Sequence, residues 1–263
     1  MVYRSLVLSL MTWNILHGGG ANRMPAITLA IVERRPDIVA LTEFRSTVGG
    51  QICGVLSDHG YSYQHTTPLS RRRNGILIAS RHPIDLLNTA PPGDLWSNRW
   101  LEVGIPEFAL RIAAVHVPDD TMIRPKLEYW HHLLAYARRY VETRCLVLGD
   151  FNSGRSRLDA ERGRFACEDL LGTFNSIGFR DAFRLRHPHV REYSWHSHTG
   201  HGFRIDGAYV SPLLWSHVAA ATYAHEERES GHSDHSPFCL ELSLKPRQSS
   251  PKPPENALFS KAD

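Results

Sequence analysis

Leu6, Leu8 and Leu10 alternate with Val7, Ser9 and Met11. This period of two predicts a strand, which ends where His17-Gly18-Gly19-Gly20 must turn and leaves Asn14 where strand meets loop. Across residues 24–35, Ile27, Ala30 and Ile31 share one helical face, with Pro25 near the start and Pro36 as a stop. Residues 38–41 resume as a strand, so Glu43 falls just past a strand end. Residues 76–80 and 111–117 read as further strands, and Leu127, Trp130, Leu134, Ala137 and Val141 mark a long amphipathic helix. A buried-type strand over 145–148 delivers Gly149-Asp150-Phe151-Asn152 to its end. Another helix over 167–177, a short strand over 208–210 and the alternation of Phe238, Leu240, Leu242 and Leu244 close the pattern. Beyond Leu244 it dissolves into Pro, Ser and Lys, which predicts one mixed α/β domain over residues 1–244 and a disordered tail over 245–263. No repeat of fixed period is present.

Composition narrows the class. With 263 residues, 42% hydrophobic and 22% charged, the chain can bury a sizeable core, which excludes a disordered, collagen-like or coiled-coil body. The formal charge of +3 includes a tail with four basic and two acidic groups, leaving about +1 for the body. Net charge therefore carries no argument for nucleic acid; only local patches can. Cys53, Cys145, Cys167 and Cys239 have no C-x-x-C spacing, which predicts free thiols and neither a disulfide framework nor a zinc site. The apolar run 6–11 is too short to span a membrane and lacks a small-residue cleavage site, so the expected setting is reducing and cytoplasmic.

Chemistry gathers where strands end. On an extended segment Asp150 and Asn152 point to one side, a carboxylate beside a carboxamide suited to a water or a phosphate oxygen, although Gly-Asp-Phe-Asn-Ser also reads as a turn. Ser233-Asp234-His235-Ser236 precedes the last strand and Arg204-Ile205-Asp206-Gly207 the one before it. A histidine held by a carboxylate has a fixed tautomer and raised basicity, and can move a proton or stabilise a developing charge. Glu43 and Asn14 emerge from apolar strands, and scattered oxygen ligands of this kind suit magnesium or manganese, whereas zinc wants His and Cys. Each motif alone also fits a turn, a cap or a surface ion pair.

Together, Thr12-Trp13-Asn14-Ile15, Ala40-Leu41-Thr42-Glu43, Val115-His116-Val117-Pro118, Gly149-Asp150-Phe151-Asn152, Phe203-Arg204-Ile205-Asp206 and Ser233-Asp234-His235-Ser236-Pro237 resemble, in order and separation, the endonuclease/exonuclease/phosphatase superfamily. The resemblance implies a four-layered α/β/β/α sandwich of the deoxyribonuclease I-like kind, its catalytic groups collected at one rim. It implies Glu43 as the principal metal-binding carboxylate, with Asn14 and Asp234 lining the same metal and water shell. Asp150 would orient or deprotonate the attacking water, Asn152 would hydrogen-bond the scissile phosphate, and His235 would act at that phosphate with Asp206 orienting its ring. Where exonuclease III and the apurinic endonucleases carry tyrosine, this chain has His116, as deoxyribonuclease I and the sphingomyelinases do; it could protonate the leaving oxygen or bind phosphate.

The remaining features bear on substrate. Arg71-Arg72-Arg73 forms a basic loop able to grip phosphates, with a solvated loop as the alternative. Trp195 and Phe203 could stack on an unpaired base or serve as core, His196, His198 and His201 read as exposed loop residues, and His17 could edge the cleft. The expectation is a magnesium-dependent (manganese possible) phosphodiesterase acting on nucleic acid, foremost DNA, by direct attack of water. The alternatives are an esterase for a phospholipid head group or small organic phosphate, and a binding module that kept the fold. No membrane span and no protein partner are expected, and oligomeric state is left open.

Overall fold

The computed structural model describes residues 6–68, 73–87 and 96–247. In chain order they form β1 (Leu6–Asn14), α1 (Gly20–Arg34), β2 (Ile38–Phe44), α2 (Ser46–Asp58), β3 (Tyr63–Thr66), β4 (Gly75–Ser80), β5 (Asp85–Leu87), β6 (Trp100–Ile105), β7 (Leu110–His116), α3 (Ile123–Tyr140) and β8 (Cys145–Asp150). There follow α4 (Ser156–Asp159), α5 (Glu168–Ile177), β9 (Arg180–Asp181), α6 (Ala182–Arg186), β10 (Trp195–His196), β11 (Gly202–Phe203), β12 (Asp206–Val210), β13 (Val218–Tyr223), α7 (Glu226–Glu229) and β14 (Phe238–Leu244).

Two six-stranded sheets result, ordered β13-β14-β1-β2-β4-β3 and β5-β6-β7-β8-β12-β9. Three buried clusters show how they are layered. Leu8, Leu10, Ile38, Ala40, Leu240 and Leu242 of the first sheet meet Val103, Ile112, Ala114, Leu146 and Leu148 of the second. The opposite face of the first sheet, through Trp13, Val39 and Leu41, packs on Ile27 and Ile31 of α1 and Ile52 and Leu56 of α2. The far face of the second, through Ala113, Val115 and Val147, packs on Trp130 and Leu134 of α3 and Phe174 of α5. Helix, sheet, sheet and helix are thus stacked as expected. Burial on both faces explains why the central strands are almost continuously apolar, and why the parallel pairs β1/β2 and β7/β8 lie there.

Several local expectations are corrected. Helix α1 starts at Gly20 and carries Pro25 in its second turn. Glu43 lies inside β2, at a register shift between Thr42 and Phe44, with a left-handed φ of 57° that swings its side chain out of the strand's alternation. The segment after β8 is not extended: Asn152 has a left-handed φ of 44°, and its backbone N–H donates to Asp150 Oδ1 at 2.9 Å, a local turn that Asn tolerates. Just before it, Gly149 lets β8 approach the backbone of β7 closely. A Cβ there would stand 2.0 Å from the backbone oxygen of Val115, at a φ of +138°. All four cysteines are free, Cys145 and Cys167 buried and the other two half-buried. Residues 245–247 continue past β14, with the Arg247 N–H bonded to Glu107 O; the rest of the expected tail lies outside the described residues.

Candidate active site

Strand register assembles the site. In the second sheet His116 is paired with Asp150 across β7/β8, and Asp150 with Asp206 across β8/β12, so three functional side chains stand in one row at the sheet's rim. The first sheet supplies Asn14 from the end of β1, Glu43 from β2 and His235 from the segment entering β14. Two hydrogen bonds cross between the sheets: Asn14 Nδ2 donates to Asp150 Oδ2 at 3.0 Å, and His235 Nδ1 meets Asp206 Oδ2 at 2.8 Å. Residues up to 222 positions apart in sequence are also tied by backbone. Trp13 Nε1 donates to His235 O at 2.8 Å and Ser233 Oγ to Asn14 O at 2.6 Å.

The electrostatics divide labour among the buried groups. Burial works against the charged form of His235, but Asp206, in contact with its ring, and then Asp150 and Asp234 raise its pKa to about 10. The ring is therefore an imidazolium at neutral pH, with Nδ1–H committed to Asp206 and Nε2–H turned toward the site, 3.9 Å from Asp234 Oδ1. Asp150 is pushed up from the ordinary carboxylate range by burial and by the charge of Asp206, only partly offset by His235 and the N–H groups of Asn14 and Asn152. His116 is held well below its ordinary value by burial and by Arg99, His235 and His17. It is neutral at neutral pH, its Nε2 3.8 Å from Asp150 Oδ2 and its Nδ1 buried with no hydrogen-bond partner. This counts against the expectation that it supplies a proton to the leaving oxygen.

Asn14 offers the site N–H groups, to Asp150 and, at 3.3 Å, to Glu43 Oε1, because its carbonyl oxygen accepts from the Leu16 N–H. Through Nδ2 it positions two carboxylates, while its carbonyl oxygen is held by the Leu16 N–H. Glu43 Oε2 accepts from the His17 N–H at 2.7 Å and lies 2.8 Å from His17 Nδ1. Asp234, partly exposed, accepts from Trp195 Nε1 at 3.0 Å.

Among the described residues, one acid and histidine cluster could hold a metal ion: Asp150, Asp206 and His235 bring ligand atoms within 4.8 Å of one another. The donor set suits a hard cation. Two of the three members are carboxylates, and Asp206 Oδ1 and the neighbouring Asp234 Oδ1 are buried with no hydrogen-bond partner, so oxygen predominates among the donors. Of the three loop histidines His198 is exposed, but His196 lies in β10 and, like His201, is half-buried, which corrects the expectation that all three are exposed loop residues.

Asn152 donates through Nδ2 to Val117 O at 2.9 Å, which fixes its amide at the edge of a cavity of about 240 Å³. Trp195 and Phe203, half-buried, line that cavity with Phe165, Arg164, Asp119 and Asp120. They pair as the strands β10 and β11 with ring centroids 5.8 Å apart. Arg73 and Arg99 line a second cavity of about 280 Å³; Arg71 and Arg72 lie outside the described residues. Sequence reasoning missed Arg99, whose guanidinium donates to His116 O, and Tyr223, whose hydroxyl donates to Asp206 O at 2.6 Å. Neither stands in a motif; only the crossing of strands brings them in.

Comparison with known proteins agrees with this picture. The sequence profile described as the Endonuclease/Exonuclease/phosphatase family matches residues 11–235. No curated protein matches the sequence. Among solved structures, the chain is similar to an AP endonuclease from Archaeoglobus fulgidus, with a TM-score of 0.78 at 19% identity over 89% of this chain and 99% of that one. It is also similar to the 3′ phosphatase NExo from Neisseria bound to a product DNA hairpin, TM-score 0.76 at 21% identity, again over 89% and 99%. A third is a 3′-5′ exonuclease (NExo) from Neisseria meningitidis, TM-score 0.74 at 21% identity and the same coverage. At these identities the likeness speaks to the fold.

Proposed function

Because the chain belongs to the endonuclease/exonuclease/phosphatase family, we propose that it is a divalent-cation-dependent phosphodiesterase that hydrolyses nucleic acid, DNA foremost, by direct attack of water on phosphorus. The observation that carries this reading is the pair of opposed titrations at one rim. Asp150 is raised toward the range of a useful general base, and His235 beside it is kept protonated by Asp206. Asp150 takes the proton of the attacking water, and the Nε2–H of His235 faces the charge that builds on the phosphoryl oxygens. The second amide hydrogen of Asn152 and a neutral N–H of His116 complete the set of donors. Glu43, with Asp206 and Asp234 through their unpartnered Oδ1 atoms, would hold a magnesium or manganese ion, which supplies charge neutralisation at phosphate and at the departing alkoxide.

The polymer substrate is supported by the flanks. The aromatic cavity at Phe165, Trp195 and Phe203 fits a planar or sugar group beside the scissile phosphate, and Arg73 and Arg99 offer charge for a neighbouring phosphate. One of the similar structures is described as an AP endonuclease and another as a 3′ phosphatase bound to a product DNA hairpin, which favours DNA among phosphodiesters.

The test is a panel of plasmid, abasic-site duplex, sphingomyelin and a generic phosphodiester, each with magnesium or a chelator. Cleavage of DNA that disappears in chelator and in Asp150→Asn is the expected result. Turnover of the lipid but not of DNA at matched enzyme concentration would overturn the nuclease reading.

A further inference from the structure

Away from the catalytic rim, α5, β9 and α6 enclose a cavity of about 270 Å³ lined by Arg155, Asn175, Arg180, Asp181, Arg184 and Leu185, among others. Its charges do not balance. Behind the wall Asp159 meets both Arg184 and Arg204, and Asp181 meets Arg204 at 2.5 Å. Asp181 also accepts the backbone N–H groups of Phe183 and Arg184. Both carboxylates are thus fully engaged. Arg155 and Arg180 have no carboxylate left to them: among the described residues neither guanidinium makes a hydrogen bond or an ion pair. Arg180 instead stands over the Trp215 ring, its guanidinium carbon 3.7 Å from the centroid. Four guanidinium groups face two carboxylates, and the two surplus charges belong to the two arginines that are half-buried or exposed at the cavity.

Two guanidinium groups that no carboxylate neutralises, set around one concavity, can close on an anion together, and planar N–H forks select oxyanions. We propose that this cavity is a second anion site that binds a phosphate-type group, either free phosphate or a backbone phosphate of a bound nucleic acid. Its far wall reaches the rim by hydrogen bonds. Arg204 donates to the Tyr223 hydroxyl at 3.4 Å, and that hydroxyl holds the backbone of Asp206. The site stands whatever ester the rim cleaves.

The experiment titrates the full chain, in chelator and at constant ionic strength, with inorganic phosphate, following tryptophan fluorescence and thermal midpoint. A short single-stranded DNA is titrated separately. The variants are Arg155→Ala/Arg180→Ala and His235→Ala, which disables the rim. The double arginine variant breaks no side-chain hydrogen bond or ion pair among the described residues but uncovers the Trp215 ring, so that the thermal midpoint is the deciding readout for it. Saturable phosphate binding weakened at least tenfold by the arginine pair, yet within twofold of the parent in His235→Ala, is expected if free phosphate is the ligand. If the ligand is a backbone phosphate, the arginine pair lowers DNA affinity at least fivefold and reduces the salt slope by about one to two. The proposal is overturned if the arginine variant matches the parent within twofold for both probes, or if His235→Ala abolishes the phosphate response, which would place the anion at the rim.

Discussion

Replacing Asp206 with Asn removes the charge that keeps His235 protonated while preserving the side chain's shape. In the native protein Asp206 Oδ2 lies 2.8 Å from His235 Nδ1, and the imidazole pKa stands at about 10. Its ordinary value is about 6.5, so the site as a whole favours the imidazolium by about 5 kcal/mol. Asp206 is the foremost of the groups that raise it, against burial and beside Asp150 and Asp234, so in Asp206→Asn the imidazole should titrate well below its native value. The stability effect has a definite sign. A folded pKa above the unfolded one contributes stability that is fully present below about pH 6.5 and is lost as pH rises toward 10. The unfolding free energies of parent and variant, in chelator, should therefore differ most below pH 6.5 and converge toward pH 10. Imidazole proton resonances followed by NMR give the titration, and urea melts at each pH give the stability. In the parent, the His235 ring should show no titration between pH 5 and 8. A ring that titrates near 6.5 in the parent, or identically in both proteins, would refute the assignment.

Three further outcomes are expected. Tyr223→Phe deletes only the hydroxyl that anchors the Asp206 backbone; it should cost about 1 kcal/mol in a urea melt and lower kcat severalfold with KM little changed, and an unaltered kcat would deny Tyr223 a positioning role. Glu43→Gln should weaken magnesium binding at least tenfold in calorimetry, since it removes a charged oxygen ligand; affinity within twofold of the parent would place the ion elsewhere. Gly149→Ala drives a Cβ into the Val115 carbonyl, backbone that cannot move aside, and should cost about 3 kcal/mol or more by denaturation. A loss under 1 kcal/mol would mean that β7 and β8 can separate at the rim.

Much of the site was readable because its residues sit at strand ends, and strand ends are marked by the halt of an apolar alternation. Asn14, Asp150 and Asp206 were found that way, and the Asp206–His235 contact is the one the paired motifs implied. What escaped depended on neighbours remote in sequence or on local geometry. Helix α2 was not read because Gly49, Gly50 and Gly54 weaken its pattern; Gly49 is there to let the Phe44 ring approach, 2.7 Å from where a Cβ would be. β6 was obscured by Glu102, a buried acid in mid-strand that meets Arg111 and the Tyr136 hydroxyl of α3. β13, rich in alanine, carries little alternation to detect. The left-handed residues Glu43 and Asn152 show the same limit at finer scale. Their identities point to chemistry, but the direction in which they aim is set by a register shift and a turn.

The central claim is that Asp150 and His235, brought together from two sheets, act on one phosphorus with a divalent cation. It is tested most directly by the single-turnover rate of duplex DNA cleavage for the parent and His235→Ala, with magnesium and with chelator. Cleavage by the parent in magnesium alone, slowed at least a thousandfold on loss of the imidazole, roughly the scale of losing one charged donor from a transition state, is the predicted result. Equal rates in parent and variant, or cleavage that persists in chelator, would contradict it.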